Sequence, residues 1–194
     1  MRLLLIRHGE TQANVDHKLD TAHPGQSLTE RGREQAEALP PQLAGEPIEA
    51  VYASTLTRAQ ETAAPLAESR GLRVEVLDGI QEISAGVEEM NEDWTTYVAE
   101  LSSWSPENMD SGLEGGETAR EFLTRFNHAV AGIVDAGHEC AALVSHGAAL
   151  RVWTLAQDPG FGSEKAQPLD NTSWIVLNGS HQDGWRIESW GGVS

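Results

Sequence analysis

Arg2-Leu3-Leu4-Leu5-Ile6-Arg7-His8-Gly9-Glu10-Thr11 carries four consecutive apolar side chains between two arginines and then turns abruptly polar. An unbroken apolar run of this length, without alternation, is how a strand buried on both faces reads, and such strands belong to parallel sheets. The same run is too short for the apolar region of a signal peptide, and nothing later approaches the roughly 18 apolar residues of a membrane span. The expectation is an untargeted cytoplasmic protein with no membrane partner.

Residues 51–53 (Val-Tyr-Ala) and 141–145 (Ala-Ala-Leu-Val-Ser) read as further strands of the same kind, while Leu72, Val74 and Val76 alternate as a half-buried edge strand does. Helical patterns lie between them. Ser27-x-x-Glu30 has the spacing of a capping box, opening a helix with Leu28, Ala36, Leu39 and Leu43 on one face. Thr118-x-x-Glu121 opens another, along which Phe122, Phe126, Ala129, Val130, Ile133 and Val134 recur at three- and four-residue spacing until Gly137 closes it. Trp94, Tyr97, Val98 and Leu101 repeat the pattern over a shorter helix. Residues 174–177 and 185–187, separated by Asn178-Gly179 and a polar stretch, read as an antiparallel pair. This alternation predicts an α/β fold of three layers, α/β/α, with a mainly parallel sheet and an antiparallel C-terminal strand pair, in a single domain over residues 1–194.

Composition narrows the function. Lys and Arg number 13 against 30 Asp and Glu, a formal charge of −17 that would repel a phosphate backbone and argues against nucleic acid as a partner. The lone Cys140 excludes an intramolecular disulfide and a zinc ribbon. His138-Glu139 lacks the second histidine of a zinc-binding helix, since position 142 is Ala, and no Gly-rich loop ends in Lys-Ser or Lys-Thr. No metal and no cofactor are expected. His17 and His23 share a loop with Pro24 and Gly25 and should be exposed; the six Trp residues read as core or rim.

Ligands of such sheets sit at the carboxyl ends of the strands. Three of the expected strands run there into unusual polar residues: Arg7-His8-Gly9-Glu10-Thr11, then Ser54 with Arg58 one turn on, then Ser145-His146-Gly147. Two arginines and two histidines converging at one edge would make a positive cup in an acidic protein. A phosphate group suits it, because guanidinium forks match its oxygens two at a time and helix N-termini add backbone donors.

With Asn14, these segments resemble the histidine phosphatase superfamily, the phosphoglycerate mutase-like proteins. Leu28-Thr29 followed by Gly32-Arg33 and Gln35-Ala36, the stretch from Val51 through Ser54 to Arg58-Ala59 and Thr62-Ala63, and Gly115-Gly116-Glu117-Thr118 are similar to its other landmarks, in its order. The resemblance implies a phosphoglycerate mutase-like fold and a small-molecule phosphomonoester substrate. It also implies roles: His8 as the nucleophile that becomes phosphohistidine, Arg7, Arg58 and His146 on the equatorial oxygens, and Asn14 assisting. His8 would attack as a neutral ring whose other nitrogen gives its proton to an acceptor such as a backbone carbonyl. Ser54 either supports the site or caps the helix that follows.

Family members take the leaving-group proton from a carboxylic acid after the third strand, and Glu82, in Asp78-Gly79-Ile80-Gln81-Glu82-Ile83, stands at the matching position. Asp78, Glu88, Glu89, Glu92 and Asp93 crowd the same region. Many relatives continue Gly-x-Trp-Glu-Gly where this chain has Ser84-Ala85-Gly86-Val87-Glu88-Glu89-Met90, so the wall of the leaving-group pocket differs. Hydrolysis is favoured over a mutase because the chain is short, because Gln12-Ala13 bring no aromatic before Asn14, and because only residues 86–110 are left to cover the pocket, as a mobile partial lid. A cofactor-dependent phosphoglycerate mutase and a non-catalytic phosphate-binding regulator are the alternatives. Assembly as a homodimer is left open by the sequence.

Overall fold

The computed structural model describes residues 1–162, 165–180 and 182–192. Strand β1 (Arg2–Arg7) leads through a short helix α1 (Gln12–Val15) to α2 (Glu30–Gln42), β2 (Ala50–Ser54), α3 (Thr57–Ser69) and β3 (Val74–Leu77). There follow α4 (Thr95–Ser103), α5 (Ala119–Asp135), β4 (Cys140–Ser145), α6 (Gly147–Gln157), β5 (Trp174–Ser180) and β6 (Gly184–Trp190). The strands form one six-stranded sheet in the order β3-β2-β4-β1-β5-β6. Pairs β2–β3, β2–β4 and β1–β4 are parallel, and β1–β5 and β5–β6 antiparallel.

The unbroken apolar run of β1 is explained by period-two geometry: successive side chains enter opposite layers. Leu3 and Leu5 join Phe122, Phe126 and Val130 of α5 and Leu150 and Trp153 of α6, whereas Leu4 and Ile6 join Leu39 of α2 and Ala59, Ala63 and Leu66 of α3. Each large apolar side chain so buried contributes roughly 1.5–3 kcal/mol, and the two layers together hold the sheet between them. Helix α5 behaves as its pattern predicts. Thr118 caps it by accepting from the Glu121 N–H while the Glu121 carboxylate accepts from Thr118, and Gly137 beyond its end takes a φ of 81°.

Two local expectations are corrected. The cap of α2 is Thr29, whose hydroxyl accepts from the Gly32 N–H at 2.9 Å, and not Ser27; Leu28 lies before the helix, its N–H held by the Glu61 carboxylate at 2.7 Å. On edge strand β3 the alternation holds only in part: Leu72 and Val74 pack on the core, but Val76 is exposed.

This topology places the site. Parallel pairing sets Arg7 beside Ser145 and Ala53 beside Val144, so β1, β2 and β4 end at one edge with His8, Ser54 and His146 next to one another. No helix among the described residues is long and apolar enough to cross a membrane.

Candidate active site

Backbone bonds fix the turn after β1. The His8 N–H donates to the Ser145 carbonyl at 3.0 Å, the Gly9 N–H to the Thr62 hydroxyl at 2.9 Å and the Glu10 N–H to the Gln35 side chain at 2.8 Å. A Cβ on Gly9 would stand 2.6 Å from the Gly32 carbonyl oxygen, so only glycine lets α2 come this close. The landmark residues Gly32, Gln35 and Thr62 thus hold His8 in place from the α2 and α3 side.

His8 is buried with its two nitrogens in different company. Nδ1 lies 2.7 Å from the Gly9 carbonyl oxygen, which only accepts, so Nδ1 carries the proton. Nε2 keeps its lone pair and accepts from Nε of Arg58 at 3.0 Å. Burial foremost, then the charges of Arg58 and Arg7, hold the ring well below the usual imidazole range. His146, with its ring centre 5.2 Å from that of His8, is held down in the same way, by burial first and Arg58 next. Both rings are neutral at neutral pH.

Ser54 touches His146, its Oγ lying 2.7 Å from Nε2, while no side chain caps α3. The Ser54 oxygen also accepts from the Leu56 N–H at 3.4 Å, and one proton is shared between the hydroxyl and Nε2 of His146. With the Ser54 proton donated to Nε2, the proton of His146 sits on Nδ1. Nδ1 of His146 and Nε of Arg7 are buried and have no hydrogen-bond partner among the described residues. Unpaired buried donors cost about 1–3 kcal/mol each, which a phosphoryl oxygen accepting from both would offset.

Arg7, His8, Asn14, Arg58 and Glu82 line one cavity of about 420 Å³; His146 is fully buried and does not line it, lying behind it against the His8 ring. Arg58 is oriented by Asp20, donating to its backbone carbonyl at 2.7 Å and facing its carboxylate at 3.3 Å. Burial pulls Arg7 and Arg58 below the usual arginine value, while Glu82 acts in the opposite direction on both. Asn14 turns its carbonyl oxygen to the Thr11 N–H and to Asn171 Nδ2, each at 3.1 Å, which leaves its own amide donor for the cavity. The Glu82 carboxylate accepts from the Ala149 N–H at 2.8 Å and the Ala148 N–H at 3.2 Å, at the N-terminus of α6. Among the carboxylates crowded near it, Asp78 faces Gln81, Glu88 faces Asn91 and Glu89 binds Thr21; none of these three lines the cavity. Among the described residues no group of three or more His, Cys, Asp and Glu is placed to hold a metal ion.

The model of the histidine phosphatase superfamily, branch 1, matches residues 3–192. The chain belongs to that family. It is 30% identical over 97% of its length to a PE-PGRS family protein of Mycobacterium tuberculosis, of which it spans only 36%. It is 36% identical to an adenosylcobalamin/α-ribazole phosphatase of Escherichia coli, over 66% of this chain and 67% of that one. The solved structure of a mycobacterial glucosyl-3-phosphoglycerate phosphatase in complex with VO3 superposes with a TM-score of 0.81 at 26% identity, covering 99% of each chain. Probable phosphoglycerate mutases are also among the relatives.

Several residues that organise the cavity were given no role there by the sequence. Asn171 donates to the His8 carbonyl at 3.0 Å as well as to Asn14, and Glu89 holds the Thr21 and Ala22 N–H groups beside Asp20. Arg125 of α5 donates to the carbonyls of Gly79, Gln81 and Glu82 at 2.9–3.0 Å and forks onto Glu117, which also accepts from the Ser84 N–H. This clamp shapes the segment that presents Glu82. The first half of residues 86–110, the segment expected to cover the pocket, is bonded to the body of the protein: Met90 N–H bonds the Leu19 carbonyl, Trp94 Nε1–H the His17 carbonyl at 2.7 Å and Tyr97 O–H the Ile83 carbonyl at 2.9 Å. His17 and His23 are exposed, as expected.

Two consequences are measurable. Arg125→Met leaves three carbonyls and a half-buried Glu117 without their donor, so the urea midpoint should correspond to a loss of roughly 2–4 kcal/mol. Stability should also depend on the two buried histidines. Unfolded, each ring titrates near 6.5, and folded its pKa is depressed. As pH falls through about 6.5 the unfolded chain takes up protons that the folded one refuses, so stability declines from there down through the folded values. Urea midpoints should fall on that descent, and fall less in His8→Gln.

Proposed function

We propose that this enzyme hydrolyses small-molecule phosphomonoesters through a phosphohistidine on His8, without a metal ion. The observation that carries the reading is the pair of nitrogens on His8: one proton anchored on the Gly9 carbonyl, one lone pair turned into the cavity beside Arg58. A phosphoryl group in flight needs an in-line nucleophile and fixed positive donors around its equator. Nε2 of His8 attacks phosphorus as the bond to the leaving oxygen breaks. Arg58 exchanges its contact with His8 for a phosphoryl oxygen, and Arg7, Asn14 and Nδ1–H of His146 supply the remaining donors. Glu82 gives its proton to the leaving oxygen, then takes one from the water that attacks phosphorus as the phosphorus–nitrogen bond breaks. Inorganic phosphate departs and His8 regains its lone pair.

Arginines in this role provide the charge that two-metal phosphatases draw from cations. The purified protein should therefore release inorganic phosphate from 4-nitrophenyl phosphate and from sugar and glycerate phosphates at a rate unchanged by exhaustive chelation. The mutase reading has the matched mutase relatives behind it, and one preparation assayed both ways tests it. Phosphate release should exceed interconversion of 2- and 3-phosphoglycerate without a bisphosphoglycerate primer. Activity lost on chelation and restored by one divalent ion, or interconversion outrunning hydrolysis, would overturn the assignment.

A further inference from the structure

The cavity is far larger than a phosphoryl group, and its volume lies within the roughly 300–1,000 Å³ of pockets that enclose whole small ligands. Trp94, Val98 and Leu101 from the α4 region and Val152, Pro168 and Leu169 give it an apolar lining away from the phosphate cup. Trp94 and Val98 keep 36% and 51% of their surface in solvent while lining the cavity.

Outside the phosphate cup that Arg7 and Arg58 form, one cation on this lining lacks a carboxylate partner among the described residues. Lys18 faces Glu92 at 3.8 Å, Asp20 faces Arg58 at 3.3 Å, and Glu82 rests on backbone N–H groups of α6. Arg151 stands on α6 one turn beyond Gly147 and lines the same cavity. Its Nε donates to the Ala166 carbonyl at 3.1 Å, which holds the guanidinium plane, and no carboxylate among the described residues pairs with it. A half-buried guanidinium held by one edge offers its remaining N–H groups as a fork for an anion.

We infer that the leaving group of the substrate joins an apolar body to a second anionic group, carboxylate or phosphate in type, and that Arg151 binds that group while the α4 face covers the body. This rests on the phosphatase reading, which makes the cavity a leaving-group site. Binding of non-hydrolysable probes tests it apart from turnover. Benzylphosphonate should bind more tightly than methylphosphonate. By titration calorimetry, 4-(carboxymethyl)benzylphosphonate should bind about tenfold or more tightly than its methyl ester, the scale of a charge-assisted hydrogen bond. A phosphonomethyl group in place of the carboxymethyl group shows which anion fits better. In Arg151→Gln the preference for the anionic probe over the ester should fall to within about twofold, in Arg151→Lys it should survive in part, and in Arg73→Gln, which changes an exposed cation before β3, it should persist. Equal affinities for acid and ester in the parent protein, or a preference that survives Arg151→Gln, would overturn the subsite. Methylphosphonate binding as tightly as benzylphosphonate would overturn its apolar half. Absence of phosphate release with the binding preference intact would instead remove the phosphatase reading and leave the anion site standing.

Discussion

His8→Ala removes turnover, with kcat/KM for any phosphomonoester down by roughly 10⁴–10⁶, the scale seen when a nucleophile acting with its partners is deleted. The size follows from what surrounds the ring. Arg7, Arg58, Asn14 and His146 can still gather a phosphate, so the variant should bind inorganic phosphate in titration calorimetry. Among the described residues the nearest imidazole, His146, is fully buried outside the cavity lining with its Nε2 engaged with Ser54, so it does not stand where the His8 Nε2 does. Far-ultraviolet dichroism matching the parent would confirm that the fold survives. A variant that binds phosphate and retains a tenth of the parent rate would mean that water attacks the ester directly and that His8 only binds.

Glu82→Gln should lower turnover of alkyl phosphates by roughly 10²–10⁴, the span of general acid–base catalysis. Gln keeps the carbonyl oxygen that accepts from the α6 backbone, so the segment clamped by Arg125 stays in place and the change isolates the proton. The loss should depend on the leaving group. An alkoxide cannot leave without its proton, whereas 4-nitrophenolate can, so the burst of nitrophenol in a pre-steady-state mixing experiment should be nearly preserved and the later hydrolysis of the phosphoenzyme slowed. Equal rates for parent and variant on an alkyl phosphate at every pH would take the acid role from Glu82.

Residues at the ends of buried strands were the legible part of this site, because an apolar block that stops on Arg-His or Ser-His leaves those side chains nowhere to go but the edge of the sheet. Arg7, His8, Arg58, Glu82 and His146 could be named on that basis and on the resemblance. Ser54 could not be decided beforehand: a serine before a helix reads as a cap, and only the pairing of β2 with β4 brings it to His146. Asn171 lies 163 residues from the carbonyl it braces, and its place in Asn171-x-Ser173-Trp174 suggests only a faint family likeness and not this role. Arg125 sits one position from the apolar stripe of α5, where a solvated charge is the ordinary reading. The misplaced start of α2 has a similar cause, since Ser27 and Thr29 are both good caps and the choice was made by Glu10, whose carboxylate and carbonyl bind the Thr29 hydroxyl and N–H. Composition suggested a mobile partial lid over residues 86–110; the bonds of Trp94 and Tyr97 to the carbonyls of His17 and Ile83 are invisible in composition.

Brief exposure of the protein to a ³²P-labelled phosphomonoester, followed by an alkaline denaturing quench and peptide mapping, tests the central claim most directly. The account predicts label on the peptide that contains His8, stable to alkali, released by acid as a phosphoramidate is, and absent from His8→Ala. Label that resists acid, label on another residue, or turnover with no labelled enzyme at any mixing time would contradict it.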